Sequence, residues 1–306
     1  MDFNITVLGS SAALPTATRQ CSAQVVTIEG FRVLIDCGEG TQNQVRRYRI
    51  KFQAIDDIFI SHLHGDHFYG LPGLLSSMHL CGRTTPLNIF APKGIKRILT
   101  EIFSISGAHL GYELNFHELE GNGPQLLIDN KKCQITAFPL LHSVPAYGFL
   151  IKEKPQLLNL KHGVRDTYNL AHDDMIRIKS GEDYLTPDGK LIPNNLLTRP
   201  RKAPLSYAYC CDTLYDPSLL PYIKDVDLLC FDCTFEHSML EIATEKLHGT
   251  TVTAATAARD ANARRLMLTH FSARYGDVEP LVEEAKKVFP NTFAATDGLR
   301  IELNNI

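Results

Sequence analysis

Ser61-His62-Leu63-His64-Gly65-Asp66-His67 decides how this chain is read. The stretch follows a short apolar run, residues 57–60, and so opens at the end of a strand. Side chains alternate between faces along a strand, so His62 and His64 project together, and Gly65 lets the chain turn so that Asp66 and His67 return to the same place. Four possible ligands within six residues form a metal-binding pattern. Imidazole and carboxylate suit zinc or a similar divalent ion, and three His plus one Asp exceed what one open catalytic zinc draws from a single loop. There is room here for two metals.

Three more candidates lie further out, each where an apolar run stops. His142 follows residues 135–141, Asp212 follows 207–211, and His270 follows 266–269. A lone His or Asp at a strand end often does no more than cap a turn, but beside the six-residue cluster these three complete an assembly. His79, His109, His117, His162, His172 and His237 have no comparable context and are read as structural or surface residues.

The surrounding pattern is layered α/β. Phe3, Ile5 and Val7 alternate with polar residues, and two β-rich runs at 25–28 and 31–35 flank Glu29-Gly30, a hairpin signal. Further strands are expected at 87–91, 133–138, 147–151, 206–211, 226–235, 265–270 and 299–303, with helices at 71–81, 94–106, 252–263 and 279–289. Meanders early and β-α alternation late predict two packed sheets with helices outside. From 152 to 202 the pattern breaks into a loop-rich stretch carrying ten Lys and Arg against seven acids. Connections beyond about 15 residues are uncommon inside a compact domain and often functional, so this one is read as an inserted arm in a single domain spanning residues 1–306.

Composition excludes several classes. With 306 residues, 44% of them hydrophobic and 21% charged, the chain is neither disordered, collagenous nor a coiled coil. No run approaches the ~18 apolar residues of a membrane span, and Met1-Asp2-Phe3-Asn4 is not the start of a signal peptide. A soluble, cytoplasmic protein with no membrane partner is expected. Its eight cysteines are read as reduced thiols, and Cys230 and Cys233, three apart in an apolar run, face opposite sides of a sheet rather than pairing. A net charge of −3 gives no general affinity for polyanions, so any nucleic-acid contact must come from local basic patches.

The H-x-H-x-D-H string with separate His, Asp and His residues after it resembles the metallo-β-lactamase superfamily. Within that superfamily the chain is similar to the ribonuclease Z family of tRNA 3′-processing endonucleases in its short form. Residues 8–15, the string Asp36-Cys37-Gly38-Glu39-Gly40-Thr41-Gln42, His248-Gly249-Thr250 and His270-Phe271-Ser272-Ala273-Arg274-Tyr275 carry the narrower likeness. It implies an αββα sandwich of two mixed sheets, with the arm at 152–202 placed where the family inserts a tRNA-gripping exosite. It also implies two Zn²⁺ ions, one held by His62, His64 and His142, the other by Asp66, His67 and His270, with Asp212 bridging. Three departures stand out. Arg19-Gln20 replaces Arg-Asn, Phe231-Asp232-Cys233-Thr234-Phe235 replaces H-E-x-T-F, and Ala171-His172-Asp173-Asp174 stands where a Gly-Pro motif is usual.

The implied reaction is removal of the 3′ trailer from precursor tRNA by phosphodiester hydrolysis, by a homodimer. Asp66 would both ligate metal and accept the nucleophile's proton, and His248, outside the ligand set, would protonate the departing ribose oxygen. Arg274 would hold a phosphate oxygen or serve in a structural salt bridge. Arg46, Arg47, Lys161, Arg165, Arg201 and Lys202 are the candidate RNA contacts, of the kind that position rather than specify. Two alternatives stay open. One is a related phosphodiesterase acting on cyclic nucleotides or other small diesters, which would not need the arm; the other is a non-catalytic RNA-binding relative, which would have lost ligands.

Overall fold

The computed structural model describes residues 3 to 305, in two units. The larger runs to Lys152 and resumes at Leu205. It contains two seven-stranded mixed sheets. In the first the order is Arg300–Glu302, Phe3–Gly9, Ala23–Ile28, Phe31–Ile35, Asp57–Phe59, Leu87–Pro92 and Leu114–Leu119, antiparallel up to Phe31–Ile35 and parallel beyond. In the second it is Thr292–Ala294, Leu266–Thr269, Leu228–Asp232, Ser206–Cys210, Ala146–Glu153, Cys133–Leu140 and Gln125–Asp129, with the first four parallel.

Three apolar clusters fix the layering. Between the sheets, Phe3, Ile5, Val26, Phe59, Phe149, Tyr207, Tyr209 and Met267 pack with no more than 2% of their surface exposed. Outside the first sheet, Leu71, Leu74, Leu75 and Met78 of the helix Leu71–Leu80 join Ile95 and Leu99 of the helix Ile95–Ser106 over Leu34, Ile58 and Ile89. Outside the second, the alanines of Thr251–Asp260 and the Leu281, Val282 and Ala285 stripe of Glu279–Lys286 cover Ala208, Leu229 and Leu268. The alternation of strand side chains feeds two cores from each sheet, which produces helix, sheet, sheet and helix layers. Cys230 enters the middle core and Cys233 the outer one, on opposite faces, and all eight cysteines are free thiols.

In the two seven-stranded sheets, the strands that the sequence pattern does not reveal, Leu114–Leu119, Gln125–Asp129 and Thr292–Ala294, are all at sheet edges. An edge strand is half-exposed, so its apolar signal is weak; Leu114–Leu119 buries only its last residue. The helix Thr41–Arg47 was also missed, and the strand expected at 226–235 is confined to Leu228–Asp232. No helix among the described residues is long and apolar enough to cross a membrane.

The second unit, Glu153–Pro204, is not the loop that its prolines and glycines suggest. Val164, Leu170, Ile178, Tyr184, Ile192 and Leu197 form a small core of its own. Its helix His172–Lys179 has Asp173 and Asp174 in the first turn and Arg177 and Lys179 in the last, matching the helix dipole. Two short ladders, Asn159–Leu160 with Thr198–Arg199 and Tyr184–Leu185 with Leu191–Ile192, complete it. The apolar residues are spaced too widely along the chain to show a period, yet they converge in space.

Candidate metal centre

Strand ends of both sheets converge on one locus. Asp57–Phe59 leads to His62 and His64, Cys133–Leu140 to His142, Ser206–Cys210 to Asp212, and Leu266–Thr269 to His270. The return of Asp66 and His67 does not use glycine's conformational freedom. Gly65 opens the four-residue helix Gly65–Phe68, with His64 as an extended N-cap. Left-handed backbone falls instead at Asp36 (φ 58°), Asp212 (φ 54°) and His270 (φ 62°). Asp and His tolerate that region better than most side chains, and here it turns the chain sharply as each strand ends.

Asp212 is nearly buried at 2% exposure and faces two separate groups. Its Oδ1 lies 3.0 Å from His270 Nε2 and 3.2 Å from His67 Nε2. Its Oδ2 lies 3.4 Å from His62 Nε2 and 3.8 Å from His142 Nε2. On the first side Asp66 Oδ2 approaches His270 Nε2 at 3.4 Å and His67 Nε2 at 3.6 Å. On the second, His64 Nδ1 is 3.1 Å from His62 Nε2 and 3.2 Å from His142 Nε2. All seven residues implied as ligands are thus brought together.

The far edges of the rings are held. His67 Nδ1 is 2.8 Å from Asp36 Oδ2, which also accepts from Ser61 Oγ at 2.9 Å and Tyr209 Oη at 2.8 Å. His270 Nδ1 is 2.9 Å from Thr234 Oγ1, and Thr234 in turn donates to Asp232 Oδ1 at 2.7 Å. Asp36, Ser61, Tyr209 and Thr234 were absent from the sequence-derived site. Each lies within or next to a quoted motif or strand, but only the packed structure shows which ring it reaches.

With Nδ1–H donating outward, His67 and His270 present Nε2 lone pairs to each other across 3.4 Å. Lone pairs and carboxylates facing one another are satisfied by protons or by a metal cation between them. The charge balance says the same. Burial alone would lower the His270 pKa, but Asp212 and Asp66 outweigh it and push it up to about 10. Burial opposes protonation of His67 too, and Asp212 and Asp36 still hold it well above its usual value. Burial would raise the Asp212 carboxyl, yet His270, His67 and His62 keep it well below the usual range. The donor set fits divalent metal, with carboxylates ionised and imidazole nitrogens aimed inward. Cys211, with its Sγ 3.3 Å from Asp212 Oδ1, contributes a thiol and not a thiolate, because burial raises its pKa well above the ordinary value.

His248 stands at the edge of this assembly. Its Nδ1 is 2.8 Å from Asp232 Oδ2, so the carboxylate found where the family has glutamate reaches both His248 and Thr234. Gly249 makes that approach possible: a Cβ there would lie 2.1 Å from the Asp232 carbonyl oxygen. Thr250 caps the helix Thr251–Asp260 by accepting from Thr253 N. Arg274 lines a pocket of about 230 Å³ with His64, Asp66, Asp212, His248 and His270. Its guanidinium sits 5.0 Å from the Phe235 ring and donates to Ser272 Oγ at 3.1 Å and to Met239 Sδ at 2.8 Å.

The basic candidates fall in both units. Arg46 and Arg47 are exposed in the last turn of Thr41–Arg47. Lys161, Arg165, Arg201 and Lys202 belong to the second unit, where Lys161 Nζ donates to Asn195 O at 2.7 Å and Arg201 donates to Gln156 and, at 2.9 Å, to Asn159.

Asp36→Asn removes the charge behind His67 while keeping a side chain that accepts left-handed backbone. Metal affinity is expected to fall by about 10- to 100-fold, measured by competition with a chelator. Unchanged affinity would show that Asp36 serves folding alone.

Known proteins bear on this geometry in three ways. Residues 3–154 match the family model described as Anti-Pycsar protein Apyc1. The short form of human tRNase Z superposes with a TM-score of 0.72 at 28% identity, covering 98% of this chain and 99% of that one. The Bacteroides thetaiotaomicron protein named Ribonuclease Z is 41% identical over 99% of this chain and 96% of its own length, and the Bacteroides fragilis one is 42% identical over 98% and 99%. Identity at that level across the whole length, in a chain whose strand ends assemble the H-x-H-x-D-H donors with His142, Asp212 and His270, places the protein in the ribonuclease Z family of the metallo-β-lactamase superfamily.

Proposed function

We propose that this chain is a metal-dependent endoribonuclease that cuts precursor tRNA at the 3′ side of the tRNA body, leaving a 3′-hydroxyl on the tRNA. The observation that carries it is Asp212, whose two oxygens face two separate sets of inward-aimed donors. His62, His64 and His142 would hold one zinc ion, Asp66, His67 and His270 a second, and Asp212 would touch both. Metal ions held there would supply Lewis acidity, bringing the pKa of water toward ~7 and neutralising the phosphate.

The chain's own groups do the rest. Asp66 Oδ2 is fixed by the Ala13 N–H at 2.8 Å and lies among the donors, positioned to take the nucleophile's proton. His248, protonated against Asp232, gives a proton to the departing ribose oxygen. Arg274 opens onto the same pocket and would hold a phosphate oxygen. About two zinc ions per chain are expected by elemental analysis of the zinc-replete protein; one tightly bound ion would remove the bridging role of Asp212. A homodimer is part of the same reading, and sedimentation of the purified protein tests it.

The small-diester phosphodiesterase is the second reading, and it is favoured by a centre whose donors all lie outside the unit Glu153–Pro204. The unit Glu153–Pro204 separates the two, because it contributes no donor to the centre. Replacing that unit with a short Gly-Ser linker is expected to leave small-diester hydrolysis nearly intact and to weaken precursor tRNA binding. The slope of log affinity against log salt should flatten by roughly 0.7 to 0.9 for each phosphate contact removed. Wild-type binding and processing by the shortened protein would count against the tRNA-gripping role and in favour of the small-diester reading.

A further inference from the structure

On the outer face of the first sheet lies a groove of about 410 Å³ whose basic lining is Arg32, Arg49, Lys51 and Arg300. Among the described residues no carboxylate lines it, in a chain with a net charge of −3. Its floor includes Thr6 and Thr27, the outward positions between Ile5 and Val7 and between Val26 and Ile28, all four of which enter the middle core. The side chains of Thr6, Thr27, Arg32, Arg49 and Lys51 form no hydrogen bond or ion pair among the described residues. Donors with no acceptor facing them are therefore concentrated at this place.

Backbone conformation marks the same groove independently. Arg49 follows the end of the helix Thr41–Arg47 and has a left-handed φ of 58°. Helices commonly place glycine at that point, because a side chain there is strained; this chain keeps an arginine. Across from it, Gly298 has a φ of 91°, and a Cβ there would come within 2.4 Å of the Tyr48 ring, which forms part of the wall.

A ligand matching such a lining is anionic and rich in acceptors, and guanidinium and hydroxyl donors suit phosphate oxygens. Thr6 is three residues from Gly9, the end of its strand, or about 10 Å at the strand rise. Four residues beyond Gly9, the Ala13 N–H donates to Asp66 of the metal centre. We infer that this groove binds the phosphodiester backbone of precursor tRNA as a second contact apart from the centre. The inference rests on the endoribonuclease reading for the identity of the RNA.

The triple variant Arg32→Gln, Arg49→Asn, Lys51→Gln tests it, with Asn chosen because it tolerates left-handed backbone. The full-length protein is titrated with precursor tRNA and with a short single-stranded RNA over a range of salt, and hydrolysis of bis-p-nitrophenyl phosphate is followed in parallel. Affinity for both RNAs should fall about tenfold or more, and the salt slope should flatten by roughly 2, three contacts at about 0.7 each. Small-diester hydrolysis should not change. An unchanged slope and affinity would overturn the inference, as would an equal fall in small-diester hydrolysis, which signals damage to the fold. Displacement of RNA from the wild-type protein by low concentrations of AMP or inorganic phosphate would also overturn it, marking a nucleotide site instead. If the wild-type protein fails to cut precursor tRNA while the triple variant still loses the short RNA, the groove stands and the activity reading fails. The single variant Lys51→Glu, at an exposed position, should reproduce the direction of the change.

Discussion

Asp212→Asn is expected to abolish hydrolysis of every diester, RNA and small substrates alike, while the fold persists. The substitution keeps the shape and tolerates the left-handed backbone at this position, but it removes the negative charge that both donor groups share. Losing the shared carboxylate forfeits several kcal/mol of transition-state charge stabilisation, on the order of 10³-fold in rate or more. The bound metal should fall from two ions per chain to one or none. Thermal melting of the metal-free protein should fall below wild type, with the transition still cooperative, because Asp212 compensates the buried His67 and His270 imidazoles that it holds protonated. A variant that keeps its activity would make the ligand assignment wrong.

His248→Ala should separate two substrates. A ribose alkoxide is a strong base when it departs, so loss of its proton donor should slow RNA cleavage by roughly 10²- to 10⁴-fold. A nitrophenolate leaves without help, and its release should hardly change. Equal losses on both substrates would give His248 a metal-binding or structural role instead. The pH dependence has a definite sign. Burial lowers the His248 pKa, but Asp232 outweighs burial and raises it, so the protonated donor is present below the raised pKa and lost as pH climbs through it. RNA cleavage should therefore decline on the basic side, and Asp232→Asn should move that decline to lower pH while the nitrophenyl substrate shows no such limb.

Much of this architecture was legible from local pattern. The period-2 alternation in Phe3–Gly9, the β-rich runs within Ala23–Ile28 and Phe31–Ile35 and the apolar stripe of Glu279–Lys286 are signals that each element carries by itself. The donor residues were legible for a different reason, since ligands at strand ends follow apolar runs that stop abruptly. What escaped was whatever depends on distant partners. Asp36 and Tyr209 meet at His67 from strands of different sheets, and no spacing in the chain announces that meeting. Gly65 was read as the hinge of the metal loop, whereas a short helix makes the turn and the left-handed residues lie at Asp36, Asp212 and His270. Asp232 stood out as a departure from the family pattern, and only its two hydrogen-bonded neighbours, Thr234 and His248, show that the shorter carboxylate reaches both.

Cleavage of precursor tRNA at one phosphodiester is read by incubating the purified, zinc-loaded protein with a precursor tRNA bearing a 3′ trailer and mapping both new ends. One cut is predicted at the 3′ side of the tRNA body, with a hydroxyl on the tRNA and a phosphate on the 5′ end of the trailer, and no cut after zinc is removed. Intact precursor beside rapid turnover of cyclic or other small diesters by the same preparation would contradict the endoribonuclease reading.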